Sequence, residues 1–290
     1  MRLIKLLNLF INFIVIFTFP IIVSASSIDY LVNSNNVKMT YEEYNNLLNL
    51  GFTEQEIMNM NIDEFINNKD LKGEIVGTEV KYYINTKKYW VNGYIVSSGD
   101  AEITEDMYNN SSFIMSRGMT PGYTEISSRK ITTTIIAVSN MYRYKITVEW
   151  KNIPSVKSND IMGIGIDSSV YIHSDIYFQQ NYCYTDGSCY SNMISYPKIS
   201  STGGAVSFQL PSYGNLSSLS SYMYFTIDKK NTSTISQLYA YGDYSHATSA
   251  ISSDNAKNYS ITRAGIILNS SILNYYDAIP VTKATWTGSW

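Results

Sequence analysis

Residues 130–150, KITTTIIAVSNMYRYKITVEW, carry the clearest structural signal in the chain, because their second half alternates apolar and polar side chains. A period of two is typical of a β-strand with one face on a core and the other in water. The pattern therefore predicts a strand over residues 142–150. Its buried face would carry Tyr142, Tyr144, Ile146, Val148 and Trp150, and its solvent face Arg143, Lys145, Thr147 and Glu149.

The first half of this stretch predicts the partner strand of a hairpin. A two-residue turn at Asn140 and Met141 would align the apolar faces of the two strands. A three-residue turn would instead bring Ile136 and Val138 onto the tyrosine face, since a slip of one residue inverts a strand. The two-residue turn is preferred, and it pairs Ala137 with Tyr144, Ile135 with Ile146, Thr133 with Val148, and Ile131 with Trp150.

The N-terminus predicts export. Arg2 and Lys5 precede an apolar run over residues 6–23, and the small residues Ser24 and Ala25 follow it. This order is typical of a secretory signal peptide, so we expect residues 1–25 to be removed and the protein to be secreted. The alternative is an uncleaved membrane anchor, because the run is close to the length that spans a bilayer.

The charge and the motifs of the sequence argue against nucleic-acid binding and against a cofactor site. The chain has 21 basic and 24 acidic residues, and loss of the leader removes two of the basic ones. No basic run is present, which argues against a nucleic acid partner. The sequence has no phosphate-cradling glycine loop, no HExxH motif and no GxSxG motif, so no cofactor is predicted.

The only two cysteines are Cys183 and Cys189, in NYCYTDGSCY. Outside the cell, this spacing around an Asp-Gly turn predicts a disulfide at the tip of a hairpin. The alternative is a pair of free thiols. A structural zinc site is not supported, since it needs four ligands.

Residues 26–72 predict a small helical module. Thr40 with Glu43, and Thr53 with Glu56, have the spacing of two capping boxes, and Gly51 is placed to end the first helix. A third short helix would begin near Asp63 and end near residue 68. The apolar residues of the three helices would form a small bundle: Leu47, Leu50, Phe52, Ile57, Met60 and Phe65.

Residues 73–112 predict a β-hairpin followed by an acidic linker. Apolar runs flank Asn92 and Gly93, a strong hairpin signal. Residues 97–112 are polar and poor in core residues, which is typical of a linker or long loop. Their acids could bind calcium, although such a run is usually only solvated, and the metal ligands stay unknown.

Residues 113–290 predict a β-sandwich or barrel-like domain, so the fold class is mainly β and antiparallel after a small helical module. Many short strands with regular breaks, and no long crossover helices, favour this architecture. The predicted strands span residues 123–138, 142–150, 161–172, 176–184, 205–210, 222–227, 235–241, 259–268 and 272–276.

The most site-like stretch is YAYGDYSHAT, residues 239–248. Asp243 could orient His246 as a general base or a ligand. The alternative is a turn in which Asp243 binds backbone amides and His246 is a structural side chain. The second imidazole, His173, shares a strand face with Asp175, so the two could bond.

Tyrosine is unusually abundant, with 26 residues. Outside cells, sheet tyrosines often form a flat amphipathic surface that stacks on sugars or proteins. The alternative is that tyrosine simply suits half-buried strands.

The leader, the MTYEEYNNLLNLGFTEQEI segment and the YGDYSHAT segment together resemble a group of uncharacterised secreted proteins from Gram-positive bacteria. The resemblance implies export and a shared fold grouping, and it implies no activity or catalytic residue.

Three functions follow as hypotheses. The first is an exported, non-catalytic β-rich protein that binds at the cell envelope or outside it, with envelope carbohydrate or protein as the partner. The second is a secreted hydrolase using His246 and Asp243. The third is a membrane-active, pore-forming toxin, in which residues 199–227 supply an amphipathic insertion hairpin.

Overall fold

The computed structural model describes residues 30–89, 95–110, 124–277 and 279–290. The predicted leader, residues 1–25, and the predicted Asn-Gly turn lie outside these residues. Within them, no helix has the length and apolar character needed to cross a membrane.

The described chain is mainly antiparallel β-structure with four short helices near its N-terminal end. Two 3-10 turns, Asn255–Lys257 and Leu273–Tyr275, lie near the other end. The elements are β1 (Tyr30–Val32), β2 (Lys38–Thr40), α1 (Tyr41–Asn49), α2 (Glu54–Met58), α3 (Ile62–Asn68), β3 (Gly73–Tyr89), β4 (Ile95–Ile103), α4 (Glu105–Asn110), β5 (Thr124–Val138), β6 (Met141–Asn152), β7 (Asn159–Ile166), β8 (Val170–Ile172), β9 (Tyr177–Tyr184), β10 (Cys189–Asn192), β11 (Tyr196–Ser200), β12 (Gly203–Gln209), β13 (Leu216–Lys229), β14 (Gln237–Ser245), β15 (Tyr259–Thr262), β16 (Gly265–Leu268) and β17 (Thr282–Thr287).

Two sheets form the body of the protein. The eight-stranded sheet has the order β10-β9-β13-β6-β5-β3-β4, and β8 also pairs with β13. The five-stranded sheet has the order β11-β12-β7-β14-β17. Their facing sides bury one core, so the predicted sandwich architecture is confirmed. Tyr144, Ile146 and Phe225 enter this core from the larger sheet, and Ile164 and Phe208 from the smaller.

The predicted hairpin of β5 and β6 is present, but its register differs by two residues. Val138 pairs with Met141, and Ile135 pairs with Tyr144. The turn therefore lies at Ser139 and Asn140, where Ser139 has φ of 55°. Two-residue hairpin turns need a positive φ at this position. A shift of two keeps every side chain on its predicted face, so the tyrosine face is buried as predicted.

The opposite face of β6 was predicted to lie in water, and this prediction is wrong. Arg143, Lys145 and Thr147 are buried, because the helical module packs over this side of the eight-stranded sheet. The module's predicted apolar residues do cluster, but Ile136 and Tyr222 of the sheet belong to the same cluster. The three helices are thus an outer layer of the sandwich as well as a bundle.

The module folds as its sequence predicts. Both capping boxes are present, with Thr40 and Thr53 as the N-caps of α1 and α2. Gly51 ends α1 with a φ of 77°, a conformation that favours glycine. Glu56 has a second role, because the carboxylate that completes its capping box also reaches the sheet.

A buried ion pair joins the module to the sheet. Lys145 Nζ on β6 donates to Glu56 Oε2 (2.5 Å) and to the carbonyl of Gly51 (2.7 Å). Thr147 Oγ1 donates to the other oxygen of Glu56 (3.0 Å). Both charged side chains are almost completely inaccessible to solvent. A buried pair with its hydrogen bonds satisfied positions the module without leaving either charge alone.

Glu64 on α3 is the second buried acid of this interface. Its Oε2 accepts a hydrogen bond from Tyr222 Oη of β13 (2.7 Å). Burial raises the pKa of Glu64 to about 7. Close by, Asn68 Nδ2 donates to Tyr224 Oη (3.1 Å), and the Arg143 guanidinium lies 4.4 Å from the centre of the Tyr224 ring.

The outer face of the five-stranded sheet is also covered. The β15–β16 hairpin packs there with the chain around residues 246–276, and together they bury a third cluster that includes Ile161, Ala205 and Tyr259. A Cβ at Gly165 of β7 would lie 2.3 Å from the carbonyl oxygen of Arg263. Glycine is therefore required for this close approach, as is typical of a glycine within a strand that another backbone approaches.

Two further segments differ from the prediction. Residues 97–103 belong to β4, which pairs along β3, and α4 follows at once, so these residues are not a linker. The predicted strand at 272–276 is instead a 3-10 turn with a single bridge from Tyr276 to Ala247. Polar side chains are acceptable in β4 because it is the edge strand of its sheet.

Candidate functional site

The disulfide-linked hairpin β9–β10 forms one edge of the eight-stranded sheet. The predicted bond between Cys183 and Cys189 is present, and the two residues are directly opposed in the register. Gly187, with φ of 89°, and Asp186 form the turn between them. The bond therefore fixes the shape of the hairpin tip.

Three tyrosines of this hairpin lie on one face. Phe178 of β9 belongs to the core between the sheets, and Tyr182 packs against that core. The period of two places Tyr184 on the same face. Tyr190 of β10 is paired directly with Tyr182 and so joins them. The tyrosines thus lie on the same side of the sheet as the core residues, but nearer the tip of the hairpin, where they are partly exposed.

These rings line a groove of about 400 Å³ beside the β9–β10 edge of the eight-stranded sheet. Tyr182 and Tyr190 are stacked, with centroids 5.7 Å apart and planes 26° apart. Tyr184 stands nearly perpendicular to Tyr182, with planes at 85°. Tyr213, from the loop between β12 and β13, is 85% exposed and also lines the groove. We call this feature the tyrosine groove.

Polar residues also line the groove, and we call this set its polar rim. They include Thr185, Asp186, Ser188 and Asn215. Ser188 donates two hydrogen bonds to Asp186 Oδ1, from its hydroxyl (2.6 Å) and its backbone amide (2.9 Å). These bonds lower the pKa of Asp186. Burial raises the pKa of Tyr182, with nearby Tyr184 and Tyr190 adding to the shift, so its ring stays neutral.

The structure places the two residues of the predicted catalytic pair in separate interactions. Asp243 Oδ2 accepts a hydrogen bond from the backbone amide of Ile266 (2.8 Å) and so fixes the β15–β16 hairpin. Burial raises the pKa of Asp243 to about 6. His246 Nδ1 instead lies 3.1 Å from both carboxylate oxygens of Asp160 on β7. Asp243 therefore does not orient His246.

The Asp160 carboxylate connects several elements. Besides His246, it accepts hydrogen bonds from the Ala247 amide (2.9 Å) and from the hydroxyl of Tyr244. The His246 ring also packs edge-on against Trp150, with centroids 5.0 Å apart. Only 3% of His246 is exposed, and none of Asp160.

A second carboxylate adjoins this cluster. Asp277 Oδ1 accepts a hydrogen bond from the His246 amide (2.9 Å), while its Oδ2 pairs with Arg129 (2.5 Å). Burial raises the pKa of Asp277, and the nearby Arg129 guanidinium opposes the shift. A hydrolase that uses His246 needs an acid within hydrogen-bonding reach of the ring and a cleft that admits substrate. Asp160 is such an acid, but this cluster is closed to solvent.

Other predicted sites can be placed as well. No hydrogen bond or ion pair joins His173 and Asp175. Within the described ranges, no group of three potential metal ligands could hold an ion. The segment assigned to an insertion hairpin holds β12 and β13, which belong to different sheets. Both strands are largely buried, so the predicted hairpin does not exist in this fold.

The tyrosine groove was missed by sequence reasoning, although its components were visible. The disulfide hairpin and the tyrosine excess were each recognised. The missing step was the register: when Cys183 opposes Cys189, Tyr182 must oppose Tyr190. The contribution of Tyr213 depends on how a distant loop folds back, and the local sequence has no signal for it.

No protein-family model matches the chain, and the curated proteins include no match. The collagen binding domain of the Erysipelothrix rhusiopathiae surface protein RspB is similar in part, with 5% identity and a TM-score of 0.31, over 58% of this chain and 68% of that one. BcpA, the major pilin subunit of Bacillus cereus, has 7% identity and a TM-score of 0.27, over 56% of this chain and 59% of that one. Both TM-scores are too low to establish a common fold, and neither name indicates what this chain binds.

Proposed function

We propose that this chain is an exported, non-catalytic binding protein that holds carbohydrate of the cell envelope or its surroundings in the tyrosine groove. The observation that carries the proposal is the groove itself, in which two stacked rings and a third, nearly perpendicular ring come from one disulfide-linked hairpin and are partly exposed. Its volume of about 400 Å³ lies in the range of small-molecule sites.

The chemistry of the groove suits a sugar. Tyrosine rings offer apolar faces that can stack on the C–H face of a pyranose, and their hydroxyls can hydrogen-bond at the edge. The rim supplies further donors and acceptors from Thr185, Ser188 and Asn215. The disulfide and the sheet hold these groups in place before the ligand arrives, which lowers the entropic cost of binding.

A binding assay with a matched pair of variants tests the proposal. The chain collected from the medium of expressing cells would be applied to an array of bacterial wall glycans. Tyr190→Ala removes a half-exposed groove ring, and Tyr171→Ala removes a tyrosine of similar exposure on β8. Loss of one stacking ring should weaken binding about tenfold in the first variant and leave the second unchanged.

Two results would contradict the proposal. One is glycan binding that Tyr190→Ala leaves unchanged, because the ligand would then lie elsewhere. The other is the absence of binding to any glycan on the array by a chain that is folded and secreted.

A further inference from the structure

The charge of the tyrosine groove has one sign. Asp186 is its only charged side chain among the described lining residues, and no lysine, arginine or histidine is among them. Two hydrogen bonds from Ser188 keep this carboxylate ionised. Lys157 Nζ donates to the carbonyl of Gly214 (3.2 Å), but the Lys157 side chain does not line the groove.

The tyrosine faces of the groove also lack the cations that cover other tyrosines of this protein. The face of an aromatic ring carries negative electrostatic potential and attracts cations within about 6 Å. Lys257 Nζ lies 3.8 Å from the centre of the Tyr196 ring, and Lys283 Nζ lies 4.0 Å from that of Tyr239. Buried Tyr224 is covered in the same way by Arg143.

None of the described lysines or arginines lies over a groove tyrosine. This holds for Tyr182, Tyr184, Tyr190 and Tyr213. Lysine or arginine thus lies over eight other tyrosine rings of the described chain, whereas the groove rings lie beside the Asp186 carboxylate with no such cation over them.

We propose that the tyrosine groove selects ligands that carry an organic ammonium group, such as an amino sugar or a choline substituent. The inference rests on the proposed function, since it concerns the same groove. The ammonium lies against the tyrosine faces with Asp186 as its counter-charge, while the rest of the ligand meets the polar rim.

Two probes of the same shape and different charge test this inference. Choline carries a trimethylammonium group, and 3,3-dimethylbutan-1-ol replaces that nitrogen with carbon. Binding to the secreted chain would be followed by NMR shifts of the tyrosine ring protons, with each probe titrated to about 50 mM. We expect choline to bind about tenfold more tightly than the neutral alcohol. Glucosamine should likewise bind more tightly than glucose.

Three variants assign the preference to the groove. Asp186→Asn keeps the acceptor for Ser188 and removes the charge, so it should weaken choline binding by about three- to tenfold and the alcohol hardly at all. Tyr190→Leu keeps the bulk and removes the ring face, and should weaken choline binding about tenfold. Tyr171→Leu is the control and should change nothing.

Equal binding of choline and the alcohol would overturn the inference, and so would choline binding that Asp186→Asn and Tyr190→Leu leave intact. Absence of any choline shift overturns it as well. If wall glycans still bind in a Tyr190-dependent manner in that case, the ammonium preference is wrong and the proposed function stands. If neither probe nor glycan binds, both are wrong.

Discussion

Replacing Glu64 with glutamine should stabilise the protein at alkaline pH and leave its stability almost unchanged at acidic pH. Glu64 is completely buried between α3 and the eight-stranded sheet. Glutamine has the same shape, and its side-chain oxygen can still accept the hydrogen bond of Tyr222. The substitution therefore removes the cost of burying a negative charge, and its amide nitrogen takes the place of Oε1, which has no hydrogen-bond partner.

The size of the effect follows from the pKa of Glu64. The value is raised from 4.5 to about 7 in the folded protein. Between these values the folded state keeps a proton that the unfolded state has lost, so the free energy of unfolding falls as pH rises across this window. One pKa unit corresponds to about 1.4 kcal/mol. The wild-type protein should therefore lose about 3 kcal/mol between pH of about 4.5 and pH of about 7, and Glu64→Gln should keep it.

Urea unfolding at about pH 5 and about pH 8, followed by circular dichroism, measures both stabilities. Glu42→Gln is the matched control, because Glu42 lies on the same module with its side chain 81% exposed. The control should change stability by no more than about 0.5 kcal/mol at either pH. If Glu64→Gln differs from the wild type by the same amount at both pH values, or is less stable at alkaline pH, the reasoning about Glu64 is wrong.

Three further predictions concern the buried charges and the disulfide. Glu56→Gln leaves the Lys145 ammonium buried without its carboxylate and should cost about 3–5 kcal/mol in urea unfolding; a loss below about 1 kcal/mol would show that water reaches the lysine. Asp160→Asn weakens the hydrogen bonds from a histidine, a tyrosine and a backbone amide at once. It should lower the free energy of unfolding by about 3 kcal/mol, seen in calorimetry as a lower melting temperature. Replacing both Cys183 and Cys189 with alanine should cost about 2 kcal/mol, because the closed loop is short, while choline binding should fall much more. Unchanged choline binding would show that the hairpin keeps its shape without the bond.

Much of the fold could be predicted because local signals agreed with the tertiary structure. Alternation over residues 142–150 identified the buried face of β6 correctly, even though the turn was placed one residue too late. Capping boxes at Thr40 and Thr53 identified two helices, since a cap depends on residues three positions apart. The cysteine spacing predicted the disulfide for the same reason.

The failures arose where long-range contacts decide the outcome. Arg143 and Lys145 have the composition of a solvent face, and only the docking of a distant module buries them. His246 was paired with Asp243 because they are neighbours in sequence. Residues three positions apart at the end of a strand need not share partners, and His246 bonds to Asp160, 86 residues away. One sequence contains no local signal for such pairs.

The docking of the helical module on the sheet has a consequence for biogenesis. Glu64 leaves the ribosome well before Tyr222, its partner 158 residues later. Until β13 has paired, the module's apolar side lacks the part of its cover that Tyr222 and Tyr224 supply, and that part is open to aggregation. The module must therefore stay apart from other nascent chains until residues 216–229 have been made, and truncation before residue 216 would leave the surface that Tyr222 and Tyr224 cover permanently exposed.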